Sequence, residues 1–122
     1  MNAIMSIKPE YVEKILNGTK KYEYRKTKTK LKIDKIIIYS TNPVKKVVGE
    51  VVVKNILIDT PLNIWLKTKE KSGTSKEFFD KYFKNSEYAI AYELGKVTIY
   101  DNQKELSEFG IKNAPQSFMY LK

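Results

Sequence analysis

The sequence predicts a mixed α+β domain, a small β-barrel with two or three peripheral helices. Three observations predict it. Short β-branched and alternating runs outnumber helical stretches. Each helical stretch carries its own start or stop residues. The 122 residues are 42% hydrophobic, and a chain of this length buries roughly two thirds of its unfolded surface, enough for one core. Residues 1-122 are therefore expected to form a single domain.

The elements follow in order. Ala3 to Ile7 reads as a short strand. Lys8-Pro9 opens a helix, because proline at the first helical position lacks only an N–H that would be unpaired anyway. Tyr11, Val12, Ile15 and Leu16 recur at helical spacing, and Asn17-Gly18 stops the helix with Gly18 as a left-handed cap. Lys21 to Lys26 alternates like a strand, with Tyr22 and Tyr24 on one face and Glu23 and Arg25 on the other. Residues 26–30 are polar, an exposed strand end or loop. Lys35 to Ser40 is nearly all apolar and reads as a strand buried on both faces. Thr41-Asn42-Pro43 is a turn. Val47 to Ile58 is a long β-branched strand in which Gly49 marks a bulge or a close backbone approach.

Thr60-Pro61 starts a second helix through Leu62, Trp65 and Leu66, and a polar loop runs from Lys67 to Gly73. Thr74 to Glu77 reads as a capping box before Phe78, Phe79, Tyr82 and Phe83. Glu87 to Leu94 and Lys96 to Tyr100 read as two strands joined at Gly95. Ser107 to Gly110 is a short turn or helical piece, and Ser117 to Leu121 a closing strand. Most strands look short and non-parallel.

Composition narrows the chemistry. Cysteine and histidine are both absent. That removes a disulfide framework, thiolate metal sites and an imidazole base, and it argues against zinc. No metal and no cofactor are expected. Met1 to Ile7 is too short and mixed for a signal peptide, and no apolar run approaches the ~20 residues that span a bilayer. A cytoplasmic protein without a membrane partner is the expectation.

The net charge is +9. Such an excess favours polyanionic partners, RNA or nucleotides among them, although lysine-rich surfaces also arise without any such partner. Of the 23 basic residues only Arg25 is an arginine. A guanidinium grips a carboxylate or phosphate with two parallel hydrogen bonds, which an ammonium does not do. Arg25 therefore marks a position where the fork is needed, either for a ligand or for a structural pair with Glu23 or Glu10.

Ser6-Ile7-Lys8-Pro9, a helix ending at Gly18, and then Gly-x-Lys-x-x-Glu-x-Arg (Gly18, Lys20, Glu23, Arg25) resemble the ASCH domain of the PUA-like superfamily. The strand ending Tyr39-Ser40, Gly49 in the next strand, and Ala114-Pro115-Gln116-Ser117-Phe118 fit the same pattern, so the resemblance covers essentially the whole chain. It implies a PUA-like β-barrel with a cleft on one side. Members are mostly expected to bind RNA, some have been described as ribonucleases, and one branch resembles an amidohydrolase acting on acetylated cytidine.

The residues themselves also gather a cleft. Glu23 and Arg25 point the same way about 7 Å apart by strand rise, with Lys20 just before them and Ser6 and Lys8 at the end of the first strand. A hydroxyl, a carboxylate, a fork and two ammoniums can hold a phosphate and read a base edge or ribose hydroxyl. The expected binding residues are Ser6, Lys8, Lys20, Glu23, Arg25, Tyr39, Ser40, Gln116 and Ser117. Tyr39, Trp65 and Phe118 are candidate stacking surfaces, each also a natural core residue.

Catalysis is the less favoured reading. Lys20 matches the lysine of the amidohydrolase branch, but Glu23 stands where that branch has threonine. Glu70 or Lys71 occupies the region of its third member. Without histidine, metal-independent RNA cleavage would fall to Lys20, Glu23 or a tyrosine with a displaced pKa. Lys20 and Glu23 are the catalytic candidates. A protein-partner-binding module is the remaining alternative.

Overall fold

Six strands form one sheet in the order β2-β5-β4-β3-β1-β6, seen in a computed structural model that describes residues 1–121. The strands are β1 (Asn2–Ile7), β2 (Tyr22–Arg25), β3 (Lys35–Ser40), β4 (Lys46–Asp59), β5 (Ala89–Lys104) and β6 (Phe118–Leu121). The helices are α1 (Pro9–Leu16), α2 (Pro61–Thr68) and α3 (Lys76–Tyr82). The sheet curls into a half-barrel. Its edges are β2 and β6, and among the described residues they share no ladder. No described helix is long and apolar enough to cross a membrane.

The alternation of each strand decides what lies on each side. Ala3, Met5 and Ile7 of β1, Ile36 and Ile38 of β3, and Ile90 and Tyr92 of β5 point into the concave core, where α1 adds Val12 and Ile15. Ile4, Ile37 and Tyr39 point outward but are covered by Leu106, Phe109 and Ile111. β3 is thus buried on both faces, as its unbroken apolar run predicts. A third cluster packs Ile64 of α2 with Phe79 and Phe83 behind α3 against Tyr24, Ala89 and Ala91. Because Glu23 pairs with Tyr92 and Arg25 with Ile90, these two charged residues face the concave side.

Several local expectations are corrected. Glu87 to Tyr100 is not two strands: β5 runs unbroken through Gly95. The register with β4 passes from Val51↔Val97 to Val53↔Leu94, so the glycine sits at a bulge rather than in a turn. A Cβ there would stand 2.8 Å from Lys54 Cγ. β1 and β3 are parallel, which the reach of α1 and the following segment permits. The cap of α3 is Ser75, whose hydroxyl accepts from Phe78 N–H, one residue later than the capping box predicts. α2 extends to Thr68 and a 3-10 turn spans Lys69–Lys71, where a plain loop is expected. α2 buries Ile64 and Thr68 and leaves Leu62 and Leu66 exposed.

The 26–34 segment is also more than an exposed edge. Thr29 is 1% exposed. Its N–H donates to the Tyr92 hydroxyl at 3.0 Å, and Leu31 N–H donates to the Tyr120 hydroxyl. The segment thereby spans the lower end of the half-barrel and gives a buried backbone donor its partner.

Gly49 is a close approach, as expected. It pairs with Ile38 on one side and Ile99 on the other, and a Cβ would stand 2.5 Å from the Thr98 carbonyl oxygen. Backbone on both sides cannot yield as a flexible side chain can. Gly49→Ala should therefore destabilise the protein by about 1–3 kcal/mol through overpacking, read as a lower urea midpoint. A midpoint shift below the error of the measurement would show that β4 and β5 separate there freely.

Candidate functional site

A cavity of about 180 Å³ opens at one end of the half-barrel. Its walls come from the end of β1 and start of α1 (Ser6, Lys8, Tyr11), the approach to β2 and β2 itself (Lys20, Glu23, Tyr24, Arg25), and the α3 region (Thr74, Phe78, Tyr82). Five residues of the expected site, Ser6, Lys8, Lys20, Glu23 and Arg25, are brought together here.

Local sequence explains how Lys20 arrives. Gly18 takes a φ of +85° after α1, and the N–H groups of Thr19 and Lys20 both return to the Lys14 carbonyl. The Lys20 stem then passes over Gly73. A Cβ on Gly73 would lie 2.6 Å from Lys20 Cβ and Cγ, so the missing side chain is the channel. Lys20 is 3% exposed. Its Nζ donates to the Ser72 carbonyl at 2.7 Å and lies 5.1 Å from the Tyr11 ring centroid and 4.8 Å from that of Tyr24. Burial pushes the Lys20 pKa below its ordinary value; Glu23 opposes this, and the positive charges of Lys14 and Arg25 add to it.

Arg25 is engaged on three sides. Nη2 pairs with Glu23 Oε2 at 2.9 Å and donates to the Ser6 carbonyl at 3.1 Å. Nη1 donates to Ser117 Oγ at 3.1 Å. Nε is buried and has no partner among the described residues. Ser6 is tied in as well: its hydroxyl donates to the Pro115 carbonyl and its N–H to the Ser117 carbonyl. The single guanidinium therefore joins the β2 edge to β1 and to the segment before β6, across the gap that the sheet leaves open. Of the two roles open for Arg25, the pair with Glu23 is present in the geometry.

Tyr24 forms the floor. Thr68 Oγ1 donates to the Ile64 carbonyl, so the Tyr24 hydroxyl, 2.7 Å away, donates to Thr68. Burial raises the Tyr24 pKa to about 12, partly offset by the Thr68 and Ser72 hydroxyls. It is a protonated donor at neutral pH.

Other expected site residues lie elsewhere. Tyr39 and Ser40 are buried, Tyr39 with Ile4, Ile37, Val47 and Ile111, because the strand is covered on its outer face too. Gln116 is exposed and lines no part of the cavity, while Ser117 reaches it only through Arg25. Trp65 packs on Phe79 behind the cavity, and Phe118 packs on Tyr120; neither offers the stacking face expected of it. Glu70 and Lys71 are exposed and outside the cavity, so neither supplies the third member of a lysine–threonine–glutamate set. Tyr11, Thr74, Phe78 and Tyr82 line it unforeseen. A readable sign was the surplus of aromatics in and after α3: Phe79 and Phe83 are buried in the core, with Tyr82 packed against them, and Phe78, Phe79 and Tyr82 all line the cavity. Among the described residues, no group of three or more acidic side chains is placed to hold a metal ion.

Two tests follow from this geometry. Arg25→Lys keeps the charge but cannot reach Glu23, Ser6 and Ser117 together, so it should lower stability by about 1–3 kcal/mol, measured by urea denaturation. An unchanged midpoint would mean the seam holds without the fork. Lys20 gives a pH signature. Its folded-state pKa is lowered, so the unfolded chain binds that proton more tightly. The charged group disfavours the fold below the folded pKa, and this penalty fades as the pH rises through that value toward 10.5. The stability of the wild type relative to Lys20→Met should therefore rise as the pH is raised from neutral toward 10.5. A difference that stays flat would mean the ammonium is solvated.

Residues 5–112 match the family model of the ASCH domain. The crystal structure of ASCH from Zymomonas mobilis superposes with a TM-score of 0.90 at 25% identity, over 99% of this chain and 87% of that one. An ASCH domain-containing ribonuclease of Zymomonas mobilis is 29% identical over 93 residues, 75% of this chain and 63% of that protein. The large ribosomal subunit protein uL22 of Ureaplasma parvum is 36% identical over 91 residues, 75% of this chain but only 29% of its own length. The chain thus spans less than two thirds of these curated relatives. With its half-barrel, its motif and this match over most of its length, the chain belongs to the ASCH domain family.

Proposed function

We propose that this domain binds single-stranded RNA, or a nucleotide, by taking one base into the cavity beside Lys20 and Glu23. The observation that carries the reading is the cavity itself. An apolar cavity of about 150 Å³ holds one benzene ring, and this one measures about 180 Å³. It suits one planar ring. Its walls are aromatic, and stacking is the sequence-tolerant part of single-strand binding. Its floor carries opposite hydrogen-bonding characters side by side. Glu23 accepts from a base amino group or a ribose hydroxyl, held in place by Arg25; Lys20 donates. Arg25 serves mainly to position Glu23, since its Nη atoms already bond protein groups. Ser6 and Lys8 stand at the mouth. The net charge of +9 supplies attraction for a polyanion, and the relative named as a ribonuclease is consistent with an RNA ligand.

One observation favours a second reading, a metal-independent hydrolase acting on RNA or a modified nucleoside. The Lys20 ammonium, lowered by burial, is closer than an ordinary lysine to the neutral amine that a general base requires. Product formation from RNA or acetylcytidine by the wild type, lost in Lys20→Met, would establish it.

Binding is tested by fluorescence anisotropy with a short labelled single-stranded RNA. Lys20→Met should weaken binding at least tenfold while the protein stays folded. Replacing Lys26, Lys28 and Lys30 together by Gln should flatten the salt dependence by about 0.7 in log–log slope for each phosphate that is no longer neutralised. Affinity that survives Lys20→Met would reject the cavity as the site. No salt-dependent binding at all would leave the protein-partner reading in its place.

A further inference from the structure

The outer wall of the cavity has a composition that one buried base does not use. Phe78 and Tyr82 stand one helical turn apart on α3, with ring centroids 6.5 Å apart and planes within 9° of parallel. Phe78 is 39% exposed. A lysine stands over each ring. Lys8 Nζ lies 5.7 Å from the Phe78 centroid and Lys26 Nζ 4.9 Å from the Tyr82 centroid. The two lysines come from different elements: Lys8 precedes α1, and Lys26 follows β2. Both are exposed. Neither has a carboxylate within ion-pair distance among the described residues.

We infer that this wall is a second subsite, a tandem platform over which a single strand of RNA passes for at least two nucleotides, Lys8 and Lys26 meeting successive phosphates. The inference rests on the base-binding reading of the cavity. A mononucleotide carries one base and one phosphate, whereas the wall repeats the ring-and-cation pair. The exposed Phe78 ring offers stacking surface, and Tyr82, half-buried against Phe83, continues the aromatic wall. An ammonium held over a ring keeps its outer N–H groups for a phosphate, and the ring fixes its position without neutralising it. Among the described residues no acidic side chain lies within ion-pair distance of either one. A duplex does not fit this surface, because its base faces are stacked inside the helix and unavailable to aromatic side chains. The wall therefore favours a strand of two or more nucleotides over a free nucleotide.

The test is a length series on the full chain at fixed salt: the four nucleoside 5′-monophosphates, mixed trinucleotides, a single-stranded hexanucleotide and the same sequence as a duplex. The hexanucleotide should bind at least tenfold more tightly than the best monophosphate and than the duplex. In Lys8→Gln/Lys26→Gln that advantage should fall below threefold, and the log–log salt slope should drop by about 0.7 per lysine. Phe78→Leu should also reduce the advantage but leave the slope in place, because stacking releases no counterions. Equal affinity for monophosphate and hexanucleotide, equal affinity for strand and duplex, or a full length advantage in the double lysine variant would each overturn the platform. Lys20→Met separates the two claims. Length-dependent binding that survives it but falls in Phe78→Leu supports the platform and rejects the cavity as the base site. Absence of binding at every length rejects both.

Discussion

A curled sheet that stops short of closure has to hold its two edges without a ladder, and at the cavity end one guanidinium does so. β2 and β6 lie at opposite ends of the strand order. Arg25 on β2 reaches the Ser6 carbonyl of β1 and the hydroxyl of Ser117, next to β6. At the other end of the half-barrel the Tyr92 and Tyr120 hydroxyls receive backbone N–H groups of the 26–34 segment. Between these two ties the gap becomes a cavity rather than a collapsed seam. An unpaired edge invites pairing with another chain; filling the gap with side chains from both edges answers that hazard and leaves room for a ring.

The same arrangement determines the electrostatics of the cavity. Arg25 takes one oxygen of Glu23, and the Lys20 ammonium is held nearby by the Ser72 carbonyl. Removing a charge from water is expensive unless it is paired and hydrogen-bonded. Glu23 pairs with Arg25 and acts electrostatically on Lys20, Lys20 is packed between two tyrosine rings, and Arg25 Nε has no partner among the described residues. Such a cluster is poor economy for stability alone. It is reasonable for a site in which a ligand completes the hydrogen bonding, because incomplete polar networks are where stability is given up for function.

Legibility in the sequence followed the range of the interaction. β1, α1, β2 and β3 are readable because periodicity, Pro9 and Gly18 act within a few residues. Ser6, Lys8, Lys20, Glu23 and Arg25 are readable as neighbours around one cavity because β2 alternation puts Glu23 and Arg25 on one face and the Gly18 turn delivers Lys20 beside them. The misplaced residues depend on distant partners. Gly95 marks a bulge or a turn with equal force, and β4 across the ladder decides which. Thr29 is buried by a hydroxyl 63 positions away. Tyr39 and Ser40, expected to touch a ligand, belong to a strand whose own apolar run already demands burial on both faces. The segment carrying Leu106, Phe109 and Ile111 supplies the outer cover. Phe78, Phe79, Tyr82 and Phe83 look like one apolar helix face, and only the packing shows that Phe79 and Phe83 are fully buried while Phe78 stays exposed.

The contrast between Lys20 and Arg25 explains why a chain with 23 basic residues uses its one arginine where it does. Lys20 threads a narrow channel that exists because Gly73 has no side chain, and it delivers one compact charge to one carbonyl. A planar guanidinium is too broad for that path, and its charge cannot be lowered toward neutrality. Arg25 faces the opposite demand. Its acceptors are a carboxylate on its own strand, a carbonyl on another and a hydroxyl on a third segment, spread across a gap. Only a fork with donors fixed in one plane can meet all three at once. An ammonium at position 25 would satisfy one edge and release the other. The lone arginine is thus a consequence of the open barrel, and the buried lysine is a consequence of the cavity that the open barrel creates.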